Sequence, residues 1–279
     1  MLKYAYCILV NVGVDYSGEP IERSIARLAK FGYDGVEFVG EPSKVQTREI
    51  RQLLKKYQIK ASSVVQIFTD ERHPISAKET IRRNAVEYVK DCINMANEIE
   101  APVVTTSCSA CMKVSPEAPF EKERSLAIEF LRETGEYAGK LGIKLAVEPW
   151  NRYETYFINR LEQALDLINA VGLKNVGVMG DLFHMNIEES SLAGALTKVG
   201  SKLVHLHIAD SNRQAPGRGH TDFQSVASAL KQIGYSRYLT MEFLPPSADP
   251  YAALKGARTR EFYDLYTKES IEYMKRIWQ

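Results

Sequence analysis

Three carboxylates and one imidazole occupy equivalent places in the second half of the chain: Glu148 in LAVEPWN, Asp181 in VGVMGDLFH, His207 in LVHLHIAD and Glu242 in LTMEFLPP. Each closes a short apolar run, and each lies one strand-plus-helix unit from the next. Brought together and buried, such groups would repel one another and lose their hydration unless a divalent cation held them. Two Glu, one Asp and a neutral His suit Mn²⁺, Co²⁺ or Mg²⁺ better than a thiolate-rich zinc site would, and Zn²⁺ is also compatible. Mn²⁺ is the expected ion.

Further polar residues follow these positions closely. Glu154 comes after Glu148 in PWNRYE, His184 after Asp181 in DLFHMN, and Arg213 after His207 in HIADSNR. Lying three to six residues past a proposed ligand, they are expected on the face where substrate binds. His205 shares a strand with His207 and points to the same side, two residues earlier. His207, nearer the strand end, is the expected ligand.

Short β-branched runs alternate with longer amphipathic stretches along the whole chain. Strands are expected over 4–10, 35–39, 59–65, 102–106, 143–148, 176–181, 203–208 and 238–242. Helices are expected over 21–30, 46–57, 77–99, 117–141, 160–171, 192–199, 223–233 and 256–277. In the third helix Ala85, Val86, Val89, Ile93 and Ala96 recur at three- and four-residue spacing, giving one apolar face. Glycines at 32, 142, 172 and 234 sit where helices turn back into strands. Eight β-then-α units predict an α/β fold, a single (β/α)₈ barrel spanning 1–279 with its active site at the C-terminal ends of the strands. No G-x-G-x-x-G follows the first strand, which argues against an open dinucleotide-binding sheet.

The composition is that of a globular domain: 279 residues, 45% apolar, 25% charged, net charge +1. That balance gives no reason to expect a nucleic-acid or membrane partner. The apolar opening stretch is short and reads as a barrel strand rather than a leader, so the cytoplasm is the expected compartment. Cys108 and Cys111 form a lone C-x-x-C without the second pair a structural zinc site needs, and reduced thiols are expected. The glycine-containing loop Pro216–His220 could cradle a phosphate through its amides or fold over a substrate.

The segments VEPWNRYE, MGDLFHMNIEE, HLHIADSNR, PGRGHTDF and TMEF resemble, in order and spacing, the ketose 3-epimerases, the D-tagatose and D-psicose 3-epimerase family of xylose-isomerase-like barrels. The resemblance is dense from about Leu141 to Pro245 and loose before it. It implies metal ligation by Glu148, Asp181, His207 and Glu242, and contacts from Glu154, His184 and Arg213 to the O1–O3 end of a sugar. The first loop, VNVGVDYSGEP, and the strand-three end, SSVVQIF, depart from the family pattern, so residues gripping the far end of the sugar are not carried over.

The expected activity is inversion of C3 of a free ketose through a cis-enediolate. Glu148 and Glu242 would act as the two bases, in a homodimer or homotetramer. A metal draws charge onto oxygen and makes the proton beside a ketone removable. Inversion needs one group to take that proton and another to return one on the opposite face. An aldose–ketose isomerase or a keto-polyol dehydratase could use the same site. An endonuclease IV-like nuclease is more distant, because a histidine-rich trinuclear cluster is poorly served by five histidines, and near-neutral charge gives no phosphate-tracking surface.

Overall fold

The alternation of strand and helix signals closes into a ring in the computed structural model, which describes residues 2–8, 10–11, 14–15, 19–246 and 259–278. The ring strands are β1 (Lys3–Ile8), β2 (Gly35–Val39), β3 (Lys60–Val65), β4 (Val103–Thr106), β5 (Lys144–Val147), β6 (Val176–Asp181), β7 (Leu203–Ile208) and β8 (Tyr238–Met241). All pair in parallel, each with its chain neighbour, and β8 returns to β1 with Lys3 opposite Tyr238 and Ala5 opposite Thr240. Closure leaves the ring itself without a free edge. The expected (β/α)₈ barrel is present.

Nine helices among the described residues surround the ring: α1 (Ile21–Phe31), α2 (Thr47–Tyr57), α3 (Glu79–Glu98), α4 (Phe120–Lys140), α5 (Leu161–Val171), α6 (Leu182–Glu188), α7 (Leu192–Val199), α8 (Phe223–Gln232) and α9 (Thr259–Ile277). The α3 stripe of Ala85, Val86, Val89, Ile93 and Ala96 is buried as its spacing requires. Phe68, beyond β3, sets its ring edge-on against Tyr88 of α3 at 5.7 Å and Phe130 of α4 at 5.9 Å. A fully buried ring of this kind contributes roughly 1.5–3 kcal/mol.

The boundaries differ from the sequence expectation where a local interaction intervenes. Helix α4 begins at Phe120 because Pro119 occupies its N-cap, while Glu117 is bound elsewhere, accepting from Ser76 Oγ at 2.9 Å and Ala77 N at 2.8 Å. The first strand stops at Ile8, and Val10–Asn11 instead pairs antiparallel with Val14–Asp15. The expected helix over 256–277 is described as Thr259–Ile277, residues 256–258 lying outside the described ones. Helix α6, which periodicity does not announce, follows β6 directly because Asp181 caps it, accepting from Phe183 N at 2.8 Å. Gly172 ends α5 at φ 78°, the left-handed conformation a side chain adopts only at a cost.

Candidate active site

The strand ends deliver the four proposed ligands to one mouth. Asp181 is the last residue of β6, and His207 the penultimate residue of β7. Glu148 and Glu242 lie one residue past β5 and β8, but the ladder still holds them: Glu148 N donates to Thr106 O at 2.9 Å and Glu242 N to Ile208 O at 3.0 Å. Strand alternation aims His205 and His207 into the barrel, while Leu206 and Ile208 join the apolar layer under the helices.

Glu148, Asp181 and His207 are all buried, and each offers a ligand atom within 4.8 Å of the other two. Glu242 joins them through His207, its Oε2 lying 2.9 Å from Nδ1; Asp181 Oδ2 lies 3.8 Å from the same nitrogen. This donor set, mostly carboxylate oxygens around one imidazole, fits a hard or borderline divalent cation.

The electrostatics follow from crowding. Burial pushes the Glu148 carboxyl up to about 8, with Asp181 and Glu242 adding to the rise while His207 and a hydrogen bond from Trp150 oppose it. Burial also disfavours the Asp181 anion, but Arg213, His184 and His207 outweigh that and hold it well below the usual carboxylate range. For His207 burial works against the charged ring, yet Glu37, Glu242 and Asp181 raise it well above an ordinary imidazole. Neutralising such a cluster is what a dication would do.

The three proposed sugar-contacting residues stand around the same mouth. His184, on the first turn of α6, has Nε2 at 3.7 Å from Asp181 Oδ2 and Nδ1 at 2.8 Å from Asn151 Nδ2. Asn151 also donates to Glu154 Oε1 at 2.9 Å, so it ties the loop after β5 to helix α6. Arg213 lies under Phe183, its guanidinium carbon 4.8 Å from the ring centroid. It donates from Nη1 to Asp181 Oδ2 at 2.6 Å and from Nη2 to Glu242 Oε2. Its backbone is left-handed at φ 61°, held by bonds from its N–H to Asp210 O and from Leu244 N to its carbonyl.

Sequence reasoning missed Glu37. This wholly buried β2 residue has Oε1 at 2.7 Å from His207 Nε2 and Oε2 at 2.9 Å from His205 Nε2. Ser63 Oγ of β3 donates to Oε2 at 2.5 Å. The available signal was one acid inside the short apolar run GVEFV, in the first half of the chain and far from the others. Burial of both faces makes an inward acid and an outward one look alike in a parallel strand.

The loop at 216–220 folds around Asp210 instead of presenting its amides outward. Asp210 accepts from Ser211 N at 2.8 Å, Gly217 N at 2.8 Å and Thr221 N at 3.0 Å. Within the loop Gly217 N thus goes to Asp210, Arg218 N to Ala215 O and His220 N to Ser211 Oγ, so these amides are not turned outward to a phosphate. All four cysteines are free thiols, with Cys108 buried and Cys111 exposed in the loop after β4.

Residues 25–276 match the family of xylose isomerase-like TIM barrels. The chain is 31% identical over 226 residues to a D-psicose 3-epimerase of Ruminiclostridium cellulolyticum, covering 78% of this chain and 76% of the relative. It belongs to the ketose 3-epimerases of the xylose isomerase-like family. It is 27% identical to the 3-dehydro-D-guloside 4-epimerase of Escherichia coli, covering 86% and 93%. Among solved structures, the D-allulose 3-epimerase from Methylomonas sp. in complex with D-allulose superposes with a TM-score of 0.85 at 26% identity, covering 99% of this chain and 96% of that one. The ketose 3-epimerase assignment makes this chain an isomerase-class enzyme acting on sugars. No helix among the described residues is long and apolar enough to cross a membrane.

Proposed function

We propose that this epimerase inverts C3 of a free ketose, with Glu148 and Glu242 as a two-base pair and one divalent cation, Mn²⁺ foremost, held by Glu148, Asp181, His207 and Glu242. The observation that carries the reading is the buried Glu148–Asp181–His207 trio with Glu242 against the same imidazole. The ion would draw negative charge onto the substrate's C2 and C3 oxygens and so acidify the C3 proton.

The chain's own residues supply the rest. One glutamate takes the C3 proton to give a cis-enediolate, and the other returns a proton to the opposite face. Burial pushes the Glu148 carboxyl up to about 8, and a dication beside it would bring that down toward the carboxylate form that can accept the C3 proton. Arg213, His184 and Glu154 would orient hydroxyls at the O1–O3 end. Phe183 and Trp150 flank His184 with ring centroids at 5.5 and 6.5 Å, and such rings limit water at the reacting carbon.

Names of relatives support the substrate class: D-psicose for one, D-allulose bound to another. The Asp210-centred loop supports an unphosphorylated sugar. A second reading, inversion at C4 of a 3-keto sugar, is favoured by the Escherichia coli relative. It uses the same chemistry, removal of a proton beside a ketone. A panel of free ketohexoses, ketopentoses and 3-keto glycosides with Mn²⁺, with product stereochemistry read by chromatography, separates the two. Turnover of the 3-keto glycosides alone would overturn the C3 reading.

A further inference from the structure

Two trios of potential ligands share one histidine. Glu148, Asp181 and His207 form the outer trio; Glu37, His205 and His207 form an inner one, again with ligand atoms within 4.8 Å of one another. The two cannot be loaded together through an ordinary imidazole. A neutral ring has a proton on one nitrogen and a single in-plane lone pair on the other. Nε2 faces the inner trio, 2.7 Å from Glu37 Oε1, and Nδ1 faces the outer one, 2.9 Å from Glu242 Oε2. An ion on Nε2 would leave the proton on Nδ1 and strip the outer trio of its nitrogen.

The surroundings decide which nitrogen is given up. Both oxygens of Glu37 are already engaged: Oε2 takes the Ser63 hydroxyl and stands 2.9 Å from His205 Nε2, while Oε1 faces His207. The inner trio brings one carboxylate, whereas the outer brings two with Glu242 beside them, so Coulomb attraction draws a dication outward. The path inward is longer as well: Glu37 and His205 are 0–1% exposed, Glu148 is 5% exposed, and the Glu242 side chain beside the outer trio is 18% exposed.

We infer that Glu37 is a positioning residue, which accepts the Nε2 proton of His207 and so presents Nδ1 to the ion while denying the inner trio a lone pair. The inference rests on the reading of His207 as a metal ligand. A carboxylate behind a ligating imidazole fixes the ring's tautomer and angle and raises its basicity.

The test uses the full-length protein and two readouts other than turnover. Mn²⁺ titration should give one ion per chain, and Glu37→Gln should weaken that binding by about 10–100-fold. In wild-type protein labelled with ¹⁵N-histidine and loaded with diamagnetic Zn²⁺, the His207 Nε2 should keep its proton, with Nδ1 carrying the shift of a ligated nitrogen. The wild-type spectrum needs no variant, so the inference can fail even if Glu37→Gln does not fold. Two ions per chain, or an ion bound with the Nε2 proton lost, would overturn it. So would a folded Glu37→Gln protein that binds Mn²⁺ as the wild type does. A wild-type chain that binds no divalent ion would remove the metal reading itself, and this inference with it.

Discussion

Arg213 donates from Nη1 to Asp181 Oδ2 at 2.6 Å, so the side chain expected at the sugar is bonded to a candidate metal ligand. Its other nitrogen reaches Glu242, and the guanidinium thus spans two of the four carboxylate and imidazole positions. The guanidinium holds the Asp181 carboxyl down and bonds Glu242 as well, so it ties the ends of β6 and β8 together. Its left-handed backbone, sparsely populated by non-glycine residues, is of the kind retained where function over-determines it.

Removing that fork should therefore be costly. Arg213→Ala is expected to lower kcat/KM by roughly 10–150-fold, the equivalent of about 1.5–3 kcal/mol of charge-assisted hydrogen bonding. Arg213→Lys should recover only part, because a point charge cannot bridge two carboxylates as a planar fork does. Steady-state kinetics on both variants decide it, and unchanged constants in Arg213→Ala would show that the residue has no part in catalysis.

The architecture was legible in the sequence because its signals are local. Short apolar runs, amphipathic stretches and glycines between them placed all eight strands and eight of the nine described helices. Glu148, Asp181, His207 and Glu242 stood out because each is an ionisable group at the end of an apolar run. Glu37 did not, since it sits in the middle of its strand, and its partners Ser63 and His205 lie far from it in sequence. Helix α6 escaped because a helix of that length has little period to read; the Asp181 cap sets where it begins. Nor does any pattern reveal that Asn151 joins Glu154 to His184, a link between the loop after β5 and helix α6.

Metal dependence has its own test. Protein stripped with a chelator should lose epimerase activity and regain it best with Mn²⁺ or Co²⁺. Asp181→Asn should release the ion more readily on dialysis while leaving the fold intact, because an amide oxygen can still cap α6. Metal content and far-ultraviolet circular dichroism measured on the same sample separate the two effects. Full activity in stripped protein would contradict the metal reading.

Glu117 provides a pH-dependent check away from the site. Lys113 Nζ donates to it at 2.7 Å, and with bonds from Ala77 N and Ser76 Oγ it is held down at about 2. A depressed carboxylate stabilises the fold above its unfolded value, near 4.3, and loses that contribution as pH falls toward 2. Glu117→Gln should cost about 1 kcal/mol at pH 7 once solvent screening of this partly exposed group is allowed for. The difference from wild type should vanish near pH 2. Urea melts at several pH values report it, and a gap that persists at low pH would mean packing rather than charge is responsible.

The two-base claim is tested most directly by the fate of the C3 proton during turnover in D₂O. Glutamates that exchange with solvent between cycles should leave deuterium at C3 of the product, seen by NMR and mass spectrometry. Replacing either Glu148 or Glu242 with Gln should abolish inversion, although exchange on a single face can survive where the remaining base still reaches the carbon. Label confined to C1 or C2, with C3 untouched, would contradict the account and identify a one-base aldose–ketose isomerase.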